Sequence, residues 1–142
     1  MAENEKAQKV TLRPVPWFEG AREMIARAEP GGDSVLDWIE RQIKANAITL
    51  FEVRDEWELI GILTARWVRN YNGERHLAFL HSVSFRSEDG FSLILMLEDA
   101  VKKIARDCGC SRIEIHSQRR GLSRIVERHG YEFQESIFSI GV

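Results

Sequence analysis

Three side chains stand out as candidates to move protons near neutral pH: His81 in "FLHSVSF", His116 in "RIEIHS", and Glu114 between Arg112 and His116 in the same run. Imidazole titrates close to neutrality, so it can take a proton from an ammonium group or deliver one to a thiolate. His116 and Glu114 are two residues apart, the spacing that places both on one face of a strand and lets a carboxylate orient a ring. Glu114 has a second reading, as a solvent-facing neighbour of Arg112. His81 also has two: a catalytic base or acid, or a hydrogen-bonded core histidine alternating with Phe79 and Val83 on one strand face.

A second feature lies just downstream of His81. The run "FRSEDGFS", residues 85 to 92, joins an apolar strand pattern to an apolar helix pattern through one glycine. Backbone N–H groups at a helix start bind anions, and Gly90 would let them approach a phosphate closely. Arg86 supplies a positive charge beside the turn. Glu88 and Asp89 work against it, because unit charges about 5 Å apart repel by about 3 kcal/mol at an effective dielectric near 20. The same acids, with Ser87 or Asp89 as N-cap, make a well-capped helix start. Phosphate cradle and helix cap both remain open as readings of this turn.

Arg120, Arg124 and Arg128 recur every four residues and line one helical face, opposite Leu122, Ile125 and Val126. Such a stripe suits nucleic-acid phosphates, the phosphate of a nucleotide cofactor or an acidic protein. No aromatic side chain is interleaved, so a solvated cover-helix face paired with Glu127 accounts for it as well. Cys108 and Cys110 are too close for an ordinary disulfide and lack histidines at zinc-ligand spacing, which predicts reduced, packed thiols and no metal. Four tryptophans, at 17, 38, 57 and 67, are many for 142 residues. They are expected as core anchors, with Trp17 and Trp38 also able to wall a binding site.

The elements that must position these groups follow from periodicity. At 142 residues and net charge −2 the chain fits one domain, here 9–142 after a flexible tail over 1–8, with no global bias toward nucleic acid or anionic membrane. It contains no apolar run of membrane length and no secretory signal, so a cytoplasmic protein is expected. A short strand over 9–15 ended by Pro14 and Pro16, a helix over 17–30, and a second amphipathic helix from about 35 to 46 behind a Ser34/Asp37 capping box come first. Strands over 47–55 and 57–69 meet at an Asp55–Glu56 turn, and Asn72–Gly73 folds the next strand, 74–85, back beside them. A helix buried over its first two turns begins after Gly90. The strand "SRIEIHS" then runs parallel to its predecessor by a crossover, and a helix in "RRGLSRIVERHGYEF" stopped by Gly130 and a last strand "QESIFSI" close the chain. An exposed "SIFSI" edge offers a pairing surface for a homodimer.

This order, β-α-α-β-β-β-α-β-α-β, resembles the GNAT superfamily of acyl-CoA-dependent N-acyltransferases from Val10 onward. "RRGLSRIVERHGYEF" is similar to the family's late helix with its closing Gly130–Tyr131 pair. "GFSLILMLEDAVKKIARDCGCSRIEIH" is similar to its acyl-CoA helix and following strand, and short phage-borne members look nearest. The resemblance implies a mixed α/β sheet with a parallel, splayed central pair. It implies acetyl-CoA as cosubstrate, its pantetheine arm held by backbone around Val83 and Phe85, and its pyrophosphate near Arg86, Gly90, Phe91 and Ser92. A small-molecule or protein amine is implied as acceptor. Arg119 stands where the late helix commonly opens with Asn, and Val126 where the family's tyrosine acid would be. Within that frame His81, His116 and Glu114 are the catalytic candidates and Arg119 a cofactor contact. The alternative is a catalytically degenerate member that serves as a binding or assembly protein.

Overall fold

A computed structural model describes residues 10–69, 71–86 and 91–115. Its elements are β1 (Thr11–Val15), α1 (Ala21–Ala26), α2 (Asp33–Lys44), β2 (Thr49–Arg54), β3 (Leu59–Arg69), β4 (Arg75–Ser84), α3 (Phe91–Met96), α4 (Glu98–Asp107) and β5 (Arg112–Ile115). The strands lie in the order β1-β2-β3-β4-β5. Every neighbouring pair is antiparallel except β4 and β5, which are parallel. The expected mixed α/β sheet is therefore present, and the α3–α4 pair supplies the crossover that a parallel join requires.

Each face of the sheet carries a core cluster. Under α3 and α4 lie Phe51, Val53, Leu63, Leu77 and Phe79 with Leu93, Ile94, Leu97 and Val101. Under α1 and α2 lie Leu50, Ile62 and Val83 with Ile25, Leu36, Ile39 and Ile43. The apolar residues of α2 fall at spacings of three and four, so one stripe is buried while Asp37 and Arg41 face water. Gly61 in β3 sits where a side chain has no room: a Cβ there would come within 2.3 Å of Leu93 Cδ1 and 2.4 Å of the Val83 carbonyl oxygen. The missing side chain is what lets α3 seat its first turn on the sheet.

Several expectations need correction. Pro14 does not end β1 but lies within it opposite Phe51, which an edge strand tolerates because one row of its N–H groups needs no ladder partner. The first helix spans only Ala21–Ala26, starting after Gly20 at φ 91°. The Ser34 capping box does not form: α2 begins at Asp33 behind Gly32, without a side-chain cap. Asp37 instead accepts from Arg22 at 2.7 Å, tying α2 to α1. Three of the four tryptophans are surface residues, Trp57 being 84% and Trp67 56% exposed, with Trp38 partly so. Trp67 is covered by the Arg75 guanidinium, 4.0 Å above its ring. Trp17 alone packs against the α1–α2 cluster.

The cysteines are free; Cys110 is buried, and that burial raises its thiol pKa, the behaviour of a packed and unreactive sulfhydryl. The tail over 1–8, the helix stopped by Gly130 with Arg120, Arg124 and Arg128, and the last strand lie outside the described residues.

Candidate active site

The region around His81 is shaped by a β-bulge. Across the β3–β4 pair Thr64 faces His81 and Ala65 faces Phe79, so Leu80 is an extra residue in β4. The extra residue breaks the alternation the sequence suggests. Phe79 remains in the cluster under α3 and α4, whereas His81 and Val83 turn to the face under α1 and α2. The described part of the β4–β5 ladder pairs His76 with Arg112 through Phe79 with Ile115, on the near side of the bulge. Beyond it the second half of β4 keeps its β3 partner: Ile62 faces Val83, and the Phe85 N–H donates to the Ile60 carbonyl at 2.9 Å. By strand alternation the peptide groups of Ser82 and Ser84 face the β5 side.

His81 is 6% exposed, and both of its ring nitrogens have partners. Nε2 lies 2.8 Å from Glu29 Oε1 and Nδ1 2.6 Å from Thr64 Oγ1. A carboxylate only accepts, so Nε2 carries the proton; in the neutral ring Nδ1 then accepts from the Thr64 hydroxyl. Thr64 is fully buried, while the Glu29 side chain retains 17% of its exposure. Glu29 comes from the α1–α2 connection, where its Oε2 also accepts the Gly31 N–H at 2.9 Å. The same connection is held over β4 by Arg27, whose guanidinium lies 5.3 Å from the centre of the Phe85 ring.

Arg86, at the end of β4, donates to Asp55 and to Glu58, the latter at 2.9 Å. Asp55 forms the β2–β3 turn by accepting from the N–H groups of Trp57 and Glu58, each at 2.8 Å. These two N–H groups, with Arg86 beside them, hold the Asp55 carboxyl below its usual pKa, and Glu58 followed by Asp55 raises that of Arg86. The guanidinium expected at an anion is thus committed to the hairpin. Glu52 is buried and holds Arg13 at 2.5 Å and Arg54 at 3.0 Å, so it serves as the centre of an ion-pair cluster on β1 and β2.

Glu114 meets a different histidine from the one its spacing suggests: His76 Nδ1 is 2.6 Å from Glu114 Oε2, across the parallel pair. His76 also lies 3.4 Å from Glu74. His116, Arg119, Gly90 and the acids of the turn lie outside the described residues, and Phe91 and Ser92 open α3. Of the sequence candidates, the structure brings His81, Val83, Phe85 and Arg86 together along the end of β4. Sequence pattern singles out neither Glu29 nor Thr64. Thr64 reads as one more β-branched strand residue and Glu29 as a polar residue before a proline, so only tertiary contact singles them out. Among the described residues no group of His, Cys, Asp and Glu is placed to hold a metal ion.

No family model matches the chain. No curated protein matches it by sequence either. Solved structures do match it by shape. AAC(6')-Iy in complex with the bisubstrate analogue CoA-S-monomethyl-acetylneamine shares 18% identity at a TM-score of 0.70, over 94% of this chain and 98% of that one. A ribosomal-protein-alanine N-acetyltransferase from Brucella melitensis shares 14% identity at 0.66, over 94% and 100%. Glucosamine-6-phosphate N-acetyltransferase from Arabidopsis thaliana shares 11% at 0.65, over 94% and 99%. The fold is that of the GNAT acetyltransferases.

Proposed function

We propose that the protein transfers an acetyl group from acetyl-CoA to an amine, at a site along the second half of β4. The observation that carries this is the bulge at Leu80, which turns His81 and Val83 to the face under α1 and α2. By strand alternation the peptide groups of residues 82 and 84 lie on the β5 side, the direction from which an extended pantetheine arm would be bonded as an added strand is. On the sheet face under α1 and α2 the bulge delivers the chain Thr64–His81–Glu29. The solved structures of the same fold support the reading: they include a complex with a CoA-based bisubstrate analogue, and a glucosamine phosphate and a ribosomal protein are named as acceptors among them.

The chemistry needs little from the protein beyond geometry. Holding amine and thioester in contact supplies much of the rate, and oriented peptide N–H groups stabilise the oxyanion that forms when nitrogen attacks the carbonyl. A carboxylate–imidazole–hydroxyl chain adds a route for the ammonium proton.

A catalytically silent binding or assembly protein is the second reading, and the commitment of Arg86 to Asp55 and Glu58 favours it. Calorimetry with acetyl-CoA, paired with thiol release in the presence of an amine panel, separates the two. Micromolar binding that is lost in Gly90→Glu is the outcome for an acetyltransferase. Absence of heat at millimolar acetyl-CoA would leave the binding-protein reading.

A further inference from the structure

The geometry points to Glu29, rather than His81, as the group that meets the acceptor, and to a cationic amine as that acceptor. This rests on the acetyl-transfer reading. His81 has neither an unoccupied ring nitrogen nor an exposed surface: Glu29 takes one nitrogen, Thr64 the other, and the residue is 6% exposed. A proton arriving from outside must therefore enter the chain at its outer end. Thr64 is fully buried, and of the three side chains Glu29 is the most exposed, at 17% against 5% for His81. Its two oxygens have room for about four hydrogen bonds, and His81 and Gly31 use one on each.

Glu29 is also well fixed for such a role. The Nε2–H of His81 grips one oxygen, the Gly31 N–H grips the other, and the Arg27–Phe85 stack seats the connection on the strand that would carry the cosubstrate. His81 and Thr64 are positioning residues: the carboxylate fixes the tautomer with the proton on Nε2, and the threonine hydroxyl, donating to Nδ1, holds the ring in place. An ammonium group docks on Glu29 by charge, and Glu29 takes one of its protons. The freed lone pair forms the C–N bond to the acetyl carbonyl and the C–S bond breaks. The thiolate takes the proton that the attacking nitrogen sheds, and Glu29 returns its own to solvent.

Two measurements test this. In the first, protein labelled with ¹⁵N-histidine is titrated with 1,4-diaminobutane without acetyl-CoA, the His81 signals being assigned by their loss in His81→Gln. The diamine should shift them in the wild type and bind at least tenfold more weakly to Glu29→Gln, which keeps the shape and loses the charge. Equal binding to both proteins, or no shift at millimolar diamine, overturns the inference. In the second, thiol release with the diamine should fall about 100-fold or more in kcat for Glu29→Gln. His81→Gln, whose amide can still donate to Glu29, should lose less than tenfold. A greater loss in His81→Gln than in Glu29→Gln would make His81 the base and overturn the assignment. Wild-type protein that binds the diamine through Glu29 yet releases no thiol ends the acetyltransferase reading while upholding Glu29 as the amine site.

Discussion

The two faces of the sheet are built to different rules. Under α3 and α4 the core is apolar throughout, and Gly61 leaves no room for a side chain against Leu93. Under α1 and α2 a comparable set of aliphatic residues shares its space with buried Thr64, His81 and Glu52, each with a hydrogen-bond or ion-pair partner. Burying such groups costs free energy that only well-made hydrogen bonds offset, so a sheet needing stability alone would resemble the first face on both sides. The first face fixes the helix that follows β4. The second accepts a stability risk in order to hold a polar chain at the strand's bulge.

Substitutions can break this contrast, and the largest effect belongs to the apolar face. Gly61→Ala forces a methyl against the Val83 backbone and the Leu93 side chain, and should cost more than about 3 kcal/mol in urea denaturation or prevent cooperative folding. A loss under about 1 kcal/mol would show that α3 is not seated as described. Leu93→Ala, on a fully buried side chain of the same contact, should cost about 2–5 kcal/mol by leaving a cavity.

On the polar face the penalty has another origin. Thr64→Val keeps the shape and removes the hydroxyl that serves His81 Nδ1, so about 1–3 kcal/mol should be lost with the buried nitrogen unpaired. A neutral result would mean that this chain is not held as a unit. Asp55 gives a pH-dependent test outside both cores. Its carboxyl pKa lies below the usual value in the folded chain, so its contribution is complete above the unfolded value of 3.8 and is lost as pH falls through the folded one. The stability difference between wild type and Asp55→Asn should hold from pH 7 to about 5 and shrink below about 4. Smallest of all, Trp57→Ser at an 84% exposed position should change stability by less than about 0.5 kcal/mol.

The sequence by itself determined the five described strands, their order of appearance, the Asp55 turn and the helix after Gly90, because periods of two and near four in apolar residues are local properties. It also placed a parallel join after that helix, since a strand reached through a helix cannot return as a hairpin. What it could not determine is which side of β4 carries His81, because the single extra residue at Leu80 inverts every later position and is invisible to alternation. Nor could it find the partners. Glu29 lies 52 residues from His81 and Thr64 lies 17 away, and no spacing rule spans such separations. Glu114 likewise joined His76, 38 residues away on the neighbouring strand. Local pattern dictates elements; the polar contacts that give a site its chemistry are set by register and packing, which exist only once the sheet has closed.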